Sequence, residues 1–366
     1  MKFIIRSEIS EKLLIINDNL MIDINNKLNN TKSLIDNYPK EWEIVKKQVN
    51  DYEYIYTSSF KKKNISNIVP ISRSYYKFTE IYNNYNFKKI NDKYKILCLA
   101  EAPGGFIQSI FDIINNEDID VLNAITLLSN DRKIPSWHNI IKRNNKIKFH
   151  NGVKGNGDLY DLENILSFFN DIKRSSLDLI TGDGGFDNSL DYSKQEEHSL
   201  KLIYSEIFVA LNLQTKGGSF ICKIFDIFKS ETITLINILK LSYNEVYIHK
   251  PYISRMSNSE KYIVCLDYKG YNKEIINLMC HHFNDNKINI PIDQYFINDI
   301  LNINKKYVEN QIKYIEKGIY NIENNNIIKY PTKKQLELAI DWCNENNISI
   351  NKDCIFIRNH NNLIQV

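Results

Sequence analysis

The stretch from Tyr94 to Ile114 constrains the fold more than any other part of the sequence. Tyr94–Leu99 is a short apolar run without polar alternation, which is typical of a strand buried on both faces. Glu101-Ala-Pro-Gly-Gly105 follows, and helical spacing resumes from Phe106 to Ile114. A strand, a glycine turn and a helix form the first unit of a doubly wound α/β domain. Such domains bind ligands at the carboxyl ends of their strands.

The residues of this turn exclude the commoner nucleotide-binding loops. It contains neither Gly-x-Gly-x-x-Gly nor a Gly-Lys-Ser/Thr ending. It has no lysine or arginine that could neutralise a diphosphate, and Glu101 would repel one. A ligand with an amino or hydroxyl group fits better, and S-adenosylmethionine, which has an ammonium and a sulfonium but no phosphate, is the natural candidate. A turn of this kind also occurs without any ligand, and the turn alone leaves that alternative open.

Residues 65–270 continue the α/β alternation. Strands are predicted at 94–99, 121–127, 146–150, 177–182, 217–224, 245–249 and 261–267. Helices are predicted between them at 104–115, 160–170, 194–213 and 229–242. The pattern predicts an α/β fold with a doubly wound, mostly parallel seven-stranded sheet. The last two strands are separated by too little helix for a crossover, so we expect the final strand to be antiparallel.

Both ends of the chain depart from this pattern, which predicts three regions. Residues 1–64 are expected to be a helical N-terminal extension, 65–270 the α/β domain and 271–366 a mainly helical C-terminal extension. Lys61-Lys62-Lys63 lies in a predicted loop. It is interpreted either as a solvated linker or as a contact for phosphates.

Three local signals describe the C-terminal extension. Lys305–Lys317 has the spacing of an exposed helix, and Gly318 is placed to end it. Thr332 and Gln335 form a capping box that begins another helix. The segment 348–357 is compatible with a strand or a hairpin.

Composition limits the class of protein. Of the 366 residues, 43% are hydrophobic and 25% charged, which are ordinary globular values. The net charge of +3 is too small to indicate a nucleic-acid partner, so any basic surface must be local. The six cysteines form no Cys-x-x-Cys pair, so buried thiols are expected rather than disulfides or a metal site. No apolar run approaches the ~18 residues of a membrane span. A protein that is neither secreted nor membrane-bound, with a cytoplasmic location, is expected.

Four ionisable residues occupy equivalent places in the predicted fold. Asp183 ends the fourth strand, Lys223 ends the fifth, Glu260 precedes the last strand and Lys77 lies on the helix before the first. An antiparallel last strand would bring Glu260 to the edge where Asp183 and Lys223 end. Asp183 before Gly-Gly is also compatible with a simple turn. Lys223 lies within Phe-Ile-Cys-Lys-Ile-Phe, where an unpaired ammonium would cost several kcal/mol, of the order found for buried unpaired ions.

These residues resemble the Lys-Asp-Lys-Glu tetrad of the FtsJ-like ribose 2′-O-methyltransferases. The glycine turn resembles that family's Ala-Pro-Gly-Gly motif, and Ser72-Arg-Ser-Tyr-Tyr-Lys77 resembles its Ser-Arg-x-x-x-Lys motif. Lys250 to Tyr262 resembles its closing motif, most closely in the mRNA cap-methylating branch and in members from large DNA viruses. Gly155-Asn-Gly-Asp158 is similar to a loop of that branch, although a glycine-rich surface turn is an alternative. We refer to Lys77, Asp183, Lys223 and Glu260 as the tetrad.

The resemblance implies a Rossmann-like, S-adenosylmethionine-dependent methyltransferase domain. It implies a set of cofactor-binding residues, namely Glu101, Pro103, Gly104, Gly105, Phe106, Asp158 and Asp183. It implies substrate contacts from Ser254 and Arg255, and for Arg255 a structural ion pair is the alternative. The sequence also departs from the family. Cys98 stands where Asp is usual, and no acidic residue clearly ends the second strand, with Asp131 the nearest.

The resemblance implies that Lys223 removes the proton of a ribose 2′-hydroxyl. Positive neighbours would lower its pKa and the two carboxylates would raise it, and the sequence leaves the balance open. The predicted substrate is RNA, with the cap-proximal nucleotide of mRNA preferred. An rRNA or tRNA 2′-O-methyltransferase and a non-catalytic RNA-binding subunit are the alternatives. Partners in capping or transcription machinery, and a viral factory or virion as a location, are further expectations.

Overall fold

The computed structural model describes residues 1–6, 13–14, 18–185 and 194–358. Its centre is an eight-stranded sheet with the order β1-β8-β9-β7-β6-β3-β4-β5. Its strands are β1 (Lys2–Ile5), β3 (Tyr94–Leu99), β4 (Ile119–Ile125), β5 (Ile147–His150), β6 (Leu177–Gly182), β7 (Gln214–Ile224), β8 (Tyr243–His249) and β9 (Lys261–Tyr268). Two further strands, β2 (Leu13–Leu14) and β10 (Ile292–Asp293), pair with each other.

The predicted α/β fold class is confirmed. Strands β3 to β7 pair in parallel, while β9 lies antiparallel between β7 and β8, as the short connection predicts. All seven predicted strands are present within a few residues of their expected bounds. The sheet has one strand more than predicted, because β1 pairs antiparallel with β8 at the edge. Only four residues long and half-exposed, β1 has little of the buried-strand pattern.

Helices cover both faces of the sheet. They are α1 (Ile22–Ser33), α2 (Pro39–Gln48), α3 (Ser74–Asn84), α4 (Gly105–Ile113), α5 (Asn139–Lys142), α6 (Leu162–Asp171), α7 (Gln195–Leu213), α8 (Ser230–Ser242), α9 (Lys273–His281), α10 (Gln294–Glu323), α11 (Lys333–Glu345) and α12 (Ile355–Arg358). One face is covered by α6 to α10 in the largest apolar cluster, which also includes Leu28 of α1. The other face is covered by α3, α4 and α5.

The prediction that Gly318 ends a helix is wrong. Helix α10 runs on to Glu323, and it is not an exposed helix, since its apolar side packs on the core and on α2. A Cβ atom on Gly318 would lie 2.5 Å from Cζ3 of Trp42 and 3.2 Å from Cγ1 of Val45. Glycine is required here because α2 approaches α10 closely, a reason that local sequence cannot reveal.

The other C-terminal predictions have mixed outcomes. The capping box of Thr332 and Gln335 is confirmed at the start of α11. The segment 348–357 forms one isolated bridge, Ser66 to Ile350, and then enters α12 rather than a hairpin. Helix α11 packs on the outer side of α3 through Trp342. The division into three regions stays a prediction, and parts of both extensions, including 359–366, lie outside the described residues.

All six cysteines lie within the described residues as free thiols, and all but Cys280 are buried. None of the helices in the described ranges combines the length and the hydropathy that a bilayer span requires. The cytoplasmic location stays a prediction.

Candidate active site

The candidate site lies where the strand order of the sheet reverses. From β3 the chain proceeds to β4 and β5 on one side, and β6 and β7 lie on the other side. Glu101 follows β3 and Asp183 follows β6, and the two strands are neighbours whose ends are joined by a 3.3 Å hydrogen bond from Asp183 N to Leu99 O. The crevice at such a reversal is where open α/β sheets bind ligands. The topology therefore brings the glycine turn and Asp183 to one place.

Lys223 and Asp183 form the first ion pair of the tetrad. Lys223 Nζ lies 3.2 Å from Asp183 Oδ1 and donates a 2.8 Å hydrogen bond to the Asp183 carbonyl. Each side chain is only 11% exposed. A Cβ on Gly185 would lie 2.9 Å from Lys223 Nζ, so the turn after β6 folds around the amine. The turn thus fixes the position and the direction of the Lys223 amine.

Lys77 and Glu260 form the second ion pair. Lys77 Nζ donates a 2.8 Å hydrogen bond to Glu260 Oε2, and the hydroxyl of Ser254 donates to Glu260 Oε1. Lys223 faces Tyr262 across the β7–β9 pair, which places Glu260 just beyond the end of β7. The structure therefore brings all four tetrad residues to the same edge of the sheet. Ser254, predicted as a substrate contact, is engaged with Glu260.

The two pairs are close enough for their charges to interact. Burial disfavours the charged form of Lys223, but Asp183 and Glu260 outweigh it and raise the pKa of the amine above its ordinary value. Burial likewise opposes ionisation of Glu260, but Lys77 and Lys223 hold the pKa of that carboxyl well below its ordinary range. Without ligands, the carboxylates therefore dominate the balance that the sequence left open, and Lys223 is protonated.

Two residues of the site were not singled out from the sequence. Tyr262 donates a 2.7 Å hydrogen bond from its hydroxyl to Asp183 Oδ1. Glu206 lies beneath the turn, where a Cβ on Gly182 would be 2.6 Å from its carboxyl. Burial raises the pKa of Glu206 to about 8, although Cys222 Sγ lies 3.2 Å from Oε2 as a donor. Tyr262 belongs to the closing motif, whereas nothing in the sequence around Glu206 indicates that this residue of α7 reaches the site.

Glu101 is a buried carboxyl with one unpartnered oxygen among the described residues. The hydroxyl of Thr181 donates to Oε1, whereas Oε2 has no hydrogen-bond partner in the described part of the chain. Burial raises the pKa of Glu101 well above its usual value, and the nearby charges of Asp183 and Glu206 add to the effect. A donor that reached Oε2, above all a cationic one, would relieve this cost.

The glycine turn is held by contacts within the protein. Gly104 has a φ of +112°, and a Cβ there would lie 2.6 Å from Ile141 Cγ1. A Cβ on Gly105 would lie 2.1 Å from the hydroxyl oxygen of Ser72. The side chain of Phe106 is in the core, with its ring centroid 5.2 Å from that of Phe78, so only its backbone can meet a cofactor. Pro103 is half-buried and its carbonyl accepts a 3.1 Å hydrogen bond from His138 N.

The Gly155-Asn-Gly-Asp158 loop lies beside the end of β4. A Cβ on Gly157 would lie 2.0 Å from the carbonyl oxygen of Thr126, and Leu128 N donates a 2.7 Å hydrogen bond to Asn156 O. Asp158 is half-buried and accepts a 2.8 Å hydrogen bond from Tyr160 N. The loop is thus built into the ligand-binding edge. Asp131 is exposed and accepts a hydrogen bond from Lys133 N.

Arg255 is held by a carboxylate outside the tetrad. Its Nε and Nη2 donate hydrogen bonds of 3.0 and 2.8 Å to the two oxygens of Glu53, which is fully buried. Arg73 Nη2 lies 3.3 Å from the same carboxylate. Burial would raise the pKa of Glu53, but the two guanidinium groups keep it below its ordinary value. The ion-pair alternative for Arg255 is therefore observed, and its contact with substrate stays a prediction.

A cavity of about 200 Å³ opens next to Glu260. Its wall includes Lys32 and Trp42 from the N-terminal extension, and Arg255 and Gln195 from the domain. Lys32 pairs with Asp226 at 2.9 Å. The cavity therefore lies between Glu260 and the N-terminal extension.

Comparison with known proteins identifies the family of the α/β domain. The FtsJ-like methyltransferase family model matches residues 70–268, more than half of the chain. The chain belongs to the FtsJ-like methyltransferase family. Cap-specific mRNA (nucleoside-2′-O-)-methyltransferase 1 of Leishmania braziliensis is 31% identical over 47% of this chain and 44% of its own length. Cap-specific mRNA (nucleoside-2′-O-)-methyltransferase 2 of Pongo abelii is 29% identical over 69% of this chain and 34% of its own length.

A solved structure described as a ribosomal RNA methyltransferase of Plasmodium falciparum aligns with 54% of this chain and 98% of its own, at 23% identity and a TM-score of 0.40. The chain spans less than half the length of the two curated relatives. FtsJ-like cap methyltransferases depend on S-adenosylmethionine. The unpartnered Oε2 of Glu101, beside a turn without cations, fits the ammonium of that cofactor. The resemblance to viral members stays a prediction.

Proposed function

We propose that this protein is an RNA ribose 2′-O-methyltransferase that uses S-adenosylmethionine and acts on the cap-proximal nucleotide of mRNA. The observation that carries the proposal is the convergence of two ammonium groups and two carboxylates in alternating pairs, Lys77 with Glu260 and Lys223 with Asp183. Residues with only a structural role would not require two nearly buried lysines at one edge of the sheet.

In this proposal, Lys223 accepts the proton of the 2′-hydroxyl. The ion pair with Asp183 directs the amine, and Lys77 with Glu260 completes a fixed array around the acceptor oxygen. When bound, the cofactor supplies an electrophilic methyl group and a positive charge. Glu101 and Asp183 would hold the ammonium end of the cofactor. The Gly104–Gly105 turn would contact the cofactor through its backbone, and Asp158 would do so at the opposite end of the crevice. Lys223 must lose its proton in the liganded site, because its pKa is raised in the free protein.

The preference for capped mRNA rests on the relatives, whose names describe cap-specific enzymes. The 2′-hydroxyl is the group that distinguishes RNA from DNA, so a ribose methyltransferase must act on RNA. In this proposal the RNA approaches the tetrad past the cavity beside Glu260, whose wall includes Arg255.

The test is transfer of a labelled methyl group to short RNAs that differ only at the 5′ end. We expect product with a capped RNA, and none when the first transcribed nucleotide lacks its 2′-hydroxyl. Equal transfer to capped and uncapped RNA, or transfer only to structured rRNA or tRNA fragments, would exclude the cap-specific proposal. Absence of transfer to every RNA, with RNA binding intact, would favour the non-catalytic alternative.

A further inference from the structure

The turn that contains Lys61, Lys62 and Lys63 is an exposed basic surface. The three residues form one turn of 3₁₀ helix and all three side chains are exposed. Phe60, which precedes them, is 54% exposed. None of the three lysines forms an ion pair with a residue that the structure describes. We call residues 60–63 the basic turn.

The basic turn is held from beneath by two buried asparagines. Asn64 Oδ1 accepts hydrogen bonds of 2.8 and 3.2 Å from the backbone of Thr57 and Ser58, and its Nδ2 donates 2.8 Å to Ser58 O. Asn351 Nδ2 donates to the carbonyls of Lys61 and Asn64, at 3.0 and 3.1 Å. A solvated linker would not need this scaffold, which fixes where the lysines are presented.

The basic turn is connected to the tetrad. Arg73 Nη1 donates a 2.5 Å hydrogen bond to the carbonyl of Tyr56, at the base of the turn. Arg73 immediately precedes α3, and Lys77 lies about one turn further along, where it is bound to Glu260. Arg73 and Arg255 share the single carboxylate of Glu53, which leaves an excess of positive charge between the basic turn and the tetrad.

We propose that the basic turn binds the single-stranded RNA that extends from the nucleotide in the active site. The three lysine side chains point in different directions, because a 3₁₀ helix has three residues per turn. They therefore attract several phosphates along a strand rather than bind a single one. Phe60 offers a stacking surface for a base, and an exposed aromatic side chain next to a basic surface is typical of single-strand binding. The exposed ring favours RNA over an acidic peptide, which has no base to stack. This inference rests on the proposed function.

The test is binding of a fluorescein-labelled, single-stranded RNA of about ten nucleotides, a length in the range of single-strand sites, to the full chain by anisotropy across a salt series. We expect the K61A/K62A/K63A variant to bind about tenfold or more weakly, with a salt slope reduced by about two, since each phosphate contact contributes about 0.7. The matched control is K88A/K93A/K216A. It removes three exposed lysines at the opposite edge of the sheet and should leave both quantities unchanged.

Two single substitutions test the stacking. Phe60→Leu should weaken binding about fivefold or more, whereas Phe60→Tyr should bind like the wild type. Methyl transfer should show a raised KM for RNA in the triple variant with kcat unchanged at saturating RNA. Melting temperatures of all variants should agree, because the substituted side chains are exposed.

The outcomes separate this inference from the proposed function. If wild-type protein methylates RNA and the two triple variants bind it equally, the basic turn does not bind RNA and the proposed function stands. If no RNA is methylated but K61A/K62A/K63A alone loses RNA binding, the basic turn binds RNA and the proposed function is wrong. Loss of binding to a polyaspartate peptide, with RNA affinity unchanged, would overturn the inference in favour of an acidic protein partner.

Discussion

Lys250 Nζ donates a 2.8 Å hydrogen bond to the backbone carbonyl of Glu260. The same amine donates to the carbonyl and to the side-chain oxygen of Asn258, each at 2.8 Å. These three hydrogen bonds hold the loop that presents Glu260. Burial, together with the charge of Lys261, lowers the pKa of Lys250 well below its ordinary value, although Glu260 opposes this. We therefore expect Lys250 to position Glu260 through this loop.

Lys250→Met should lower kcat about tenfold and the free energy of unfolding by about 1–3 kcal/mol, because one oxygen of Glu260 and two of Asn258 lose their donor. The measurements are methyl-transfer kinetics and urea unfolding. Lys287→Met, at an exposed position, is the control. A loss of stability without any change in kcat would show that the loop holds Glu260 in place without Lys250.

Lys223→Ala should reduce kcat by a factor of about 10² to 10⁴, the range that general bases contribute. Binding of S-adenosylmethionine, measured by calorimetry, should stay within a fewfold of wild type, because Glu101 and the glycine turn are unchanged. Lys223→Arg separates two roles: it keeps the positive charge but cannot release a proton at neutral pH. Full activity in either variant would refute Lys223 as the base.

Asp183→Asn should move the pH profile of kcat. Burial lowers the pKa of Lys223, but Asp183 and Glu260 outweigh this and raise it, so wild-type kcat should increase with pH through the alkaline range as the amine loses its proton. Removing the Asp183 charge should shift that increase to lower pH, even where the lost ion pair lowers the maximum rate. A profile with an unmoved midpoint would mean that another group titrates.

Glu206→Gln should stabilise the protein in mildly alkaline solution. Burial raises the pKa of Glu206 to about 8 from 4.5, so the folded state binds this proton more tightly than the unfolded chain does. Its favourable contribution is complete below pH 4.5 and is lost as the pH rises to about 8. Near pH 8 the variant should exceed wild type by an amount on the order of a few kcal/mol. Parallel pH curves of urea unfolding for the two proteins would contradict this.

Gly318→Ala should destabilise the contact between α10 and α2. Alanine is the better helix former by about 1 kcal/mol. However, its Cβ would lie 2.5 Å from the Trp42 ring, and the resulting overpacking costs about 1–3 kcal/mol. The melting temperature should fall, whereas Lys317→Ala on the exposed side should leave it unchanged. An increase in the melting temperature of Gly318→Ala would show that the two helices separate at little cost.

Local patterns determined much of the fold and part of the site. Apolar runs bounded by turns located seven strands of the sheet, because burial on both faces removes polar alternation. The short connection before β9 determined its antiparallel direction, since a parallel strand would need a longer crossover. That direction brings Glu260 to the end of β7, beside Lys223. The strand ends therefore indicated three members of the tetrad, namely Asp183, Lys223 and Glu260, whereas Lys77 lies on α3.

The tertiary structure alone decided how those groups are held and charged. Glu53 pairs with Arg255 from a distant part of the chain, and Glu206 of α7 contacts Cys222 of β7. Burial and pairing set the ionisation of both carboxyls, which no local spacing reports. The same holds for Gly318, whose neighbour Trp42 comes from the other end of the chain. A sequence pattern records what each residue prefers locally. The pKa of Lys223 and the partner of Arg255 depend on which distant charges the fold places beside them.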